Sequence, residues 1–127
     1  MSGAQPLPSI DDPAFSARTS FNGPSLAVVM NGTADLNVQE SLEMFLASVH
    51  ACATKRPAAS VFVDLRGLEF MNSSCLKRLV NWIFTVRAEL ADQRYRIVFV
   101  ANPKAQWQRR SLHSLACMAP ELISIQP

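Results

Sequence analysis

Glycine is scarce in this chain, with four residues in 127. That excludes a collagen-like repeat. Neither G-x-G-x-x-G nor G-x-x-x-x-G-K-[ST] occurs, so no glycine-rich loop is available to wrap backbone N–H groups around a phosphate. Charged residues are few, at 17%, while apolar ones reach 49%; a packed core is expected and global disorder is not. No run of about 18 apolar residues exists, so membrane insertion is not expected. The start of the chain lacks the basic stretch and apolar run of a secretory signal. The three cysteines, Cys52, Cys75 and Cys117, are odd in number and widely spaced, which fits neither a disulfide framework nor a C-x-x-C metal pattern. They are expected as mostly buried thiols in a reducing, cytoplasmic setting. His50 and His113 form no ligand cluster with other residues, and no serine sits in a G-x-S-x-G elbow. Asp64 and Glu69 come nearest to a carboxylate pair, but nothing directs both into one cleft. An enzyme, a bound metal and a cofactor are therefore not expected.

Charge is unevenly spread. Between Lys55 and Arg110 eleven basic residues meet four acidic ones, a formal +7, whereas the first 54 residues carry −4. A basic half suits nucleic acid, an acidic protein or an anionic nucleotide. No Lys/Arg run exceeds two residues and no aromatic RNA-binding strand is present, so nucleic acid is not expected as a partner.

Residues 1–13 carry three prolines and little bulk, and are expected as a flexible leader before a single domain over 14–127. Ala14 to Phe21 and Ser25 to Met30 read as a hairpin turned at Asn22-Gly23. Asn37 is a plausible helix cap, with Glu40 at capping-box distance; Val38, Leu42, Phe45, Leu46, Val49 and Ala53 then follow helical spacing up to Pro57. Ser60 to Leu65 reads as a buried strand, and Arg66 to Met71 as a connection. A second helix is expected from Ser74 to about Leu90, with Trp82 and Phe84 widening its apolar arc. Tyr95 to Val100 is another strand. Asn102-Pro103 marks the start of a helix running to about Ala116, and Leu122 to Ile125 a last strand. The alternation predicts an α/β domain with a mixed sheet of about four to five strands flanked by helices.

The stretch Met71-Asn72-Ser73-Ser74-Cys75-Leu76 lies between a strand and a helix. Asn72, Ser73 or Ser74 can cap that helix. A phosphate on a serine here would sit at the helix's positive end, and its charge could alter how a partner docks. Cys75 at the same end is a candidate for a lowered thiol pKa and a redox switch.

The segment Leu26 to Ile125 resembles the STAS domain of bacterial anti-sigma factor antagonists. The likeness rests on "SLAVVMNGTADLNVQESLEMFL", on "SVFVDLRGLEFMNSSCLKRLV" and on "YRIVFVANPKAQWQRRSLHSLACMAPELISI", in that order and spacing. In the family the loop typically reads Asp-Ser-Ser/Thr-Gly, its first serine phosphorylated. Here Asn72 stands for the acid and Cys75 for the glycine. By that match Ser73 is the phosphoacceptor, with Ser74 the weaker choice. The resemblance implies partner switching: the unphosphorylated domain binds a serine kinase or anti-sigma factor of the histidine-kinase-like ATPase family, phosphorylation breaks the complex, and a serine phosphatase restores it. Asn72, Ser74, Cys75, Lys77, Arg78 and Asn81 are the expected partner contacts. The alternative is a STAS-like adaptor in a transport ATPase or signalling scaffold that is never phosphorylated. A small nucleotide-binding domain, suggested only by the basic half, ranks third.

Overall fold

A computed structural model describes residues 7–127. It contains β1 (Ser9–Asp11), β2 (Phe15–Asn22), β3 (Ser25–Ala34), α1 (Gln39–Lys55), β4 (Ser60–Met71), α2 (Ser73–Ala88), a short 3-10 turn (Ala91–Gln93), β5 (Arg96–Val100), α3 (Gln106–Met118) and β6 (Ile123–Gln126). The six strands lie in the order of the chain. β1, β2 and β3 pair antiparallel, and β3, β4, β5 and β6 pair parallel. The mixed α/β sheet is as expected, but it has six strands rather than four to five. The additional strand is β1: Ile10 is buried in the core and Ser9 pairs with Arg18 across the edge. Of the segment expected as a flexible leader, residues 1–6 lie outside the described residues and Ser9–Asp11 is this strand.

Each parallel crossover steps one strand over in the same direction. A right-handed crossover then places its helix on the same face every time. Leu42, Phe45 and Val49 of α1, Leu79, Ile83 and Val86 of α2, and Leu112 and Leu115 of α3 accordingly share one core with Val61, Val63, Ile97 and Phe99. Every residue of the expected α1 stripe is buried. The expected cap is not: Val38 takes the N-cap position without a side-chain bond, and the Asn37 N–H instead donates to Asp35 Oδ1 at 2.9 Å in a turn. At α3 the same thing happens. Asn102 caps a turn, receiving the Lys104 N–H at 3.0 Å, and the helix begins four residues after the expected Asn-Pro start.

β3 and β4 run further than their apolar cores suggest, and Arg66–Met71 is strand rather than connection. Two irregularities permit this. Gly32 has a positive φ of 96°, and a Cβ on it would collide with the Ala14 carbonyl, which accepts from the Thr33 N–H at 2.8 Å. The β3–β4 register then shifts on either side of Gly32, and pairing continues to Ala34 and Met71.

A partly buried polar chain ties α1, α2 and β5 together. Trp82 Nε1–H donates to the Tyr95 hydroxyl at 2.9 Å, that hydroxyl lies 2.7 Å from His50 Nδ1, and His50 Nε2 lies 2.7 Å from Glu89. The Glu89 carboxylate can only accept, so Nε2 carries a proton toward it; in the neutral imidazole Nδ1 is then the acceptor, and the Tyr95 O–H donates to it while accepting from Trp82. His50 is therefore an interior hydrogen-bonding group, not the solvent-facing residue its helical position suggests. Burial raises the Tyr95 hydroxyl pKa, which keeps it a donor. Tyr95→Phe leaves both His50 Nδ1 and Trp82 Nε1 unpaired, and should lower stability by ~1–3 kcal/mol in urea unfolding; a change below about 0.5 kcal/mol would mean that water replaces the hydroxyl.

Candidate functional site

The parallel strands β3 and β4 end side by side, and the chain turns from each into a helix. Where β4 ends, Asn72 caps α2: its Oδ1 accepts from the Cys75 N–H at 2.8 Å, and its own N–H donates to the Ala34 carbonyl at 2.9 Å. Of the three candidate caps, Asn72 is the one used. Ser73 is thereby the first residue of α2 rather than part of a loop, and it is exposed; Ser74 is half-buried.

Cys75 is fully buried, and its S–H donates to the Asp35 carbonyl at 3.3 Å, holding the β3–α1 turn against the start of α2. Burial raises its thiol pKa, and Asp35 adds to the effect. The expected redox switch and partner contact at Cys75 are both corrected: the helix terminus favours a thiolate, but desolvation outweighs it, and the side chain has no free surface. The expectation of mostly buried thiols holds for Cys75 alone, since Cys52 is half-buried and Cys117 exposed, its sulfur 3.6 Å from His113 Nε2.

Helical geometry sorts the other expected contacts. Ser73, Lys77 and Asn81 recur at four-residue spacing on one exposed stripe. Phe84 belongs to that stripe, 48% exposed, where the sequence placed it in the apolar arc; Trp82 is the buried aromatic of the pair. Arg78 points elsewhere. It turns toward α1, 3.5 Å from Glu43, and lines a groove of about 200 Å³ between the two helices with His50 and Thr85, a groove that Asn81 also borders from the edge of the stripe. Asn72, Ser73, Lys77 and Asn81 thus stand together at the corner and along the stripe, while Arg78 and Cys75 do not join them.

Sequence reasoning missed an apolar rim. Leu36, in the turn that holds Cys75, is 67% exposed. Phe70, two residues before the cap, is 48% exposed and lies with its ring centroid 6.4 Å from that of Trp107. Alternation gave no signal for it: beyond Leu65 the buried residues of β4 are Leu68 and Met71, every third position, and Phe70 falls between them on an exposed one.

The far end of β4 has one further peculiarity. Its pairing with β5 stops at Asp64 and Val100, so beyond that point β3 is its one neighbour in the sheet. The backbone carbonyls of that stretch are met by side chains from the start of α3. Gln108, 0% exposed, donates from Nε2 to Leu65 O at 2.7 Å and Leu68 O at 2.9 Å, while its Oε1 accepts the Asn102 N–H at 2.8 Å. Asn102 Nδ2 donates to Arg66 O at 3.3 Å, and Trp107 Nε1 to Glu69 O at 2.9 Å.

The architecture is that of the STAS domain. An anti-sigma factor antagonist from Mycobacterium paratuberculosis aligns with a TM-score of 0.65 and 18% identity, over 93% of this chain and 91% of that one. An antisigma-factor antagonist STAS domain from Rhodobacter sphaeroides aligns at 0.52 and 15%, over 75% and 95%. The anti-sigma factor antagonist SpoIIAA in its unphosphorylated form aligns at 0.50 and 13%, over 74% and 79%. No protein-family model and no curated sequence matches the chain, so this likeness is one of fold.

The burial pattern orders thiol reactivity. With a neutral aromatic disulfide reagent, Cys117 should react first, Cys52 more slowly, and Cys75 only after denaturant is added. Mass mapping of the labelled peptides checks the order, and early labelling of Cys75 would show that the corner opens in the folded protein.

Proposed function

We propose that this domain is a regulatory protein-binding module of the anti-sigma factor antagonist type, acting by partner switching. Its docking surface is the corner at Asn72 and Ser73, continued along Lys77, Asn81 and Phe84 and flanked by Leu36 and Phe70. The partner is a serine kinase or anti-sigma factor of the histidine-kinase-like ATPase family, and the switch is a phosphate on Ser73 that a serine phosphatase removes. The reading places the protein in the cytoplasm and assigns it no catalytic step of its own.

One observation carries this reading: the Ser73 hydroxyl is exposed on the first residue of a sixteen-residue helix, beside exposed apolar side chains. A kinase needs an accessible hydroxyl, and a docking partner needs apolar surface around it. Near two negative charges at this point would meet the free N–H groups of Ser73 and Ser74 and the ammonium of Lys77 one turn on. The same charge would oppose a partner surface shaped for a neutral serine.

The adaptor reading differs in one respect only, that the corner binds without being modified. Neutral Asn72 and buried Cys75, where the family carries an acid and a glycine, favour it. Phosphopeptide mapping of protein recovered from its native cells, with identification of co-purified proteins, separates the two. Partner switching predicts phosphate on Ser73 and an ATPase-domain partner; Ser73→Ala should retain that partner, and Ser73→Asp should weaken it by at least ~10-fold, about 1.4 kcal/mol. Equal, mild effects of both substitutions and an unmodified Ser73 would leave the adaptor.

A further inference from the structure

We propose that Gln108 is a positioning residue for the Ser73 corner, and that the start of α3 holds this corner in its docking shape. The corner is the end of β4, and β4 there is a strand with one sheet neighbour. On the other side, four carbonyls, Leu65 O, Arg66 O, Leu68 O and Glu69 O, accept hydrogen bonds from Gln108, Asn102 and Trp107. Gln108 is the centre of this clamp. It is the one buried polar or charged residue among those described, and its amide has a fixed sense: both N–H groups meet carbonyls, and the oxygen meets an N–H. An apolar side chain of equal length would fill the space but leave two carbonyls and one N–H unpaired.

The clamp therefore couples α3, which does not carry the phosphoacceptor, to the position of Met71, Asn72 and the first turn of α2. Displacing α3 frees one edge of the β4 tail, while the β3 side still holds through Thr33, Ala34 and the Asn72 N–H. A partner or ligand that moves the start of α3 would thus change docking at Ser73 without touching it. That regulatory consequence rests on the docking role proposed above, whereas the positioning of the corner stands apart from it.

Cys75 supplies a readout that needs no partner. It is buried behind the corner and is the first α2 residue whose N–H Asn72 caps. In a Cys52→Ala, Cys117→Ser background it is the only thiol. Gln108→Met should raise its labelling rate in the absence of denaturant by roughly tenfold or more, through an opening smaller than global unfolding. Amide exchange should speed up at Asn72, Cys75 and Leu76 and stay slow in the middle of α1. Val49→Ala, in the core far along α1, serves as the control; it should change Cys75 labelling only in step with its global stability. Trp107→Phe, which removes the donor to Glu69 O and trims the ring beside Phe70, gives the same local effect at smaller size should Gln108→Met fold poorly. Labelling that tracks global stability in every variant, or amide protection at the corner that survives loss of the clamp, would overturn the proposal. With a partner in hand, weakened binding by Gln108→Met extends the local result to docking. Faster labelling with unchanged binding would overturn the docking consequence while leaving the positioning role intact.

Discussion

The length mismatch between β4 and β5 is the constraint on which the site depends. β4 runs twelve residues and β5 five, so the strand that leads into α2 leaves the sheet's interior with one edge unpaired. A buried carbonyl without a donor loses about 1–3 kcal/mol, and the Leu65 and Leu68 carbonyls are two such groups, while those of Arg66 and Glu69 lie nearer the surface. The chain answers with side chains instead of a strand. Asn102, Trp107 and Gln108 come from the five residues between β5 and α3 and from the first turn of α3, and they reach the carbonyls that β5 is too short to meet. The late start of α3 follows from this use of Asn102: its backbone N–H and side-chain amide are committed to the clamp and its turn, so it is unavailable as a helix cap.

On the other edge the solution is backbone. Gly32 lets β3 bulge against Ala14, and the shifted register carries β3 far enough to pair with Phe70 and Met71. The Ser73 corner is thus held by a glycine-dependent bulge on one side and a glutamine clamp on the other. Neither belongs to the helix that presents Ser73, and this is why the corner can project from the sheet while Asn72 and Cys75 remain fixed.

Much of this could be read from the residues alone. Helical spacing from Leu42 to Ala53 reports the α1 core face correctly because each position is buried in the shared core. Val61, Val63 and Leu65 mark the centre of β4 by alternation. Local capping chemistry left Asn72, Ser73 and Ser74 open as caps, and Ser73 was singled out only by the likeness of its loop to the family's. What was not legible depends on neighbours distant in sequence. Gln108 looks like one polar residue among Gln106, Arg109 and Arg110, and only the unpaired carbonyls of β4, about forty residues earlier, draw it inside. Tyr95 and His50 are likewise ordinary in their own segments; their bond spans 45 positions. Ile10 lies in a proline-rich stretch and is recruited to the core by pairing with β2 at Ala17. Phe84 erred in the opposite direction, since its side chain follows the stripe of Ser73 and Lys77 rather than that of Ile83.

These placements also bear on which chemistry the corner favours. A cysteine at a helix N-terminus and a serine at a helix N-terminus start with the same advantage, a positive end that favours negative charge. Burial separates them. The Cys75 sulfur faces the core and a carbonyl oxygen, where a thiolate would lose its hydration and meet a partial negative charge. Ser73, two residues earlier, faces water, with Lys77 on the same stripe and neutral Asn72 as the cap. Under the proposed switch, negative charge added there would meet these favourable groups in the domain's own fold and act mainly on whatever docks against it. A switch of that kind requires no rearrangement of the sheet. It requires only that the corner stay where the bulge at Gly32 and the clamp at Gln108 hold it.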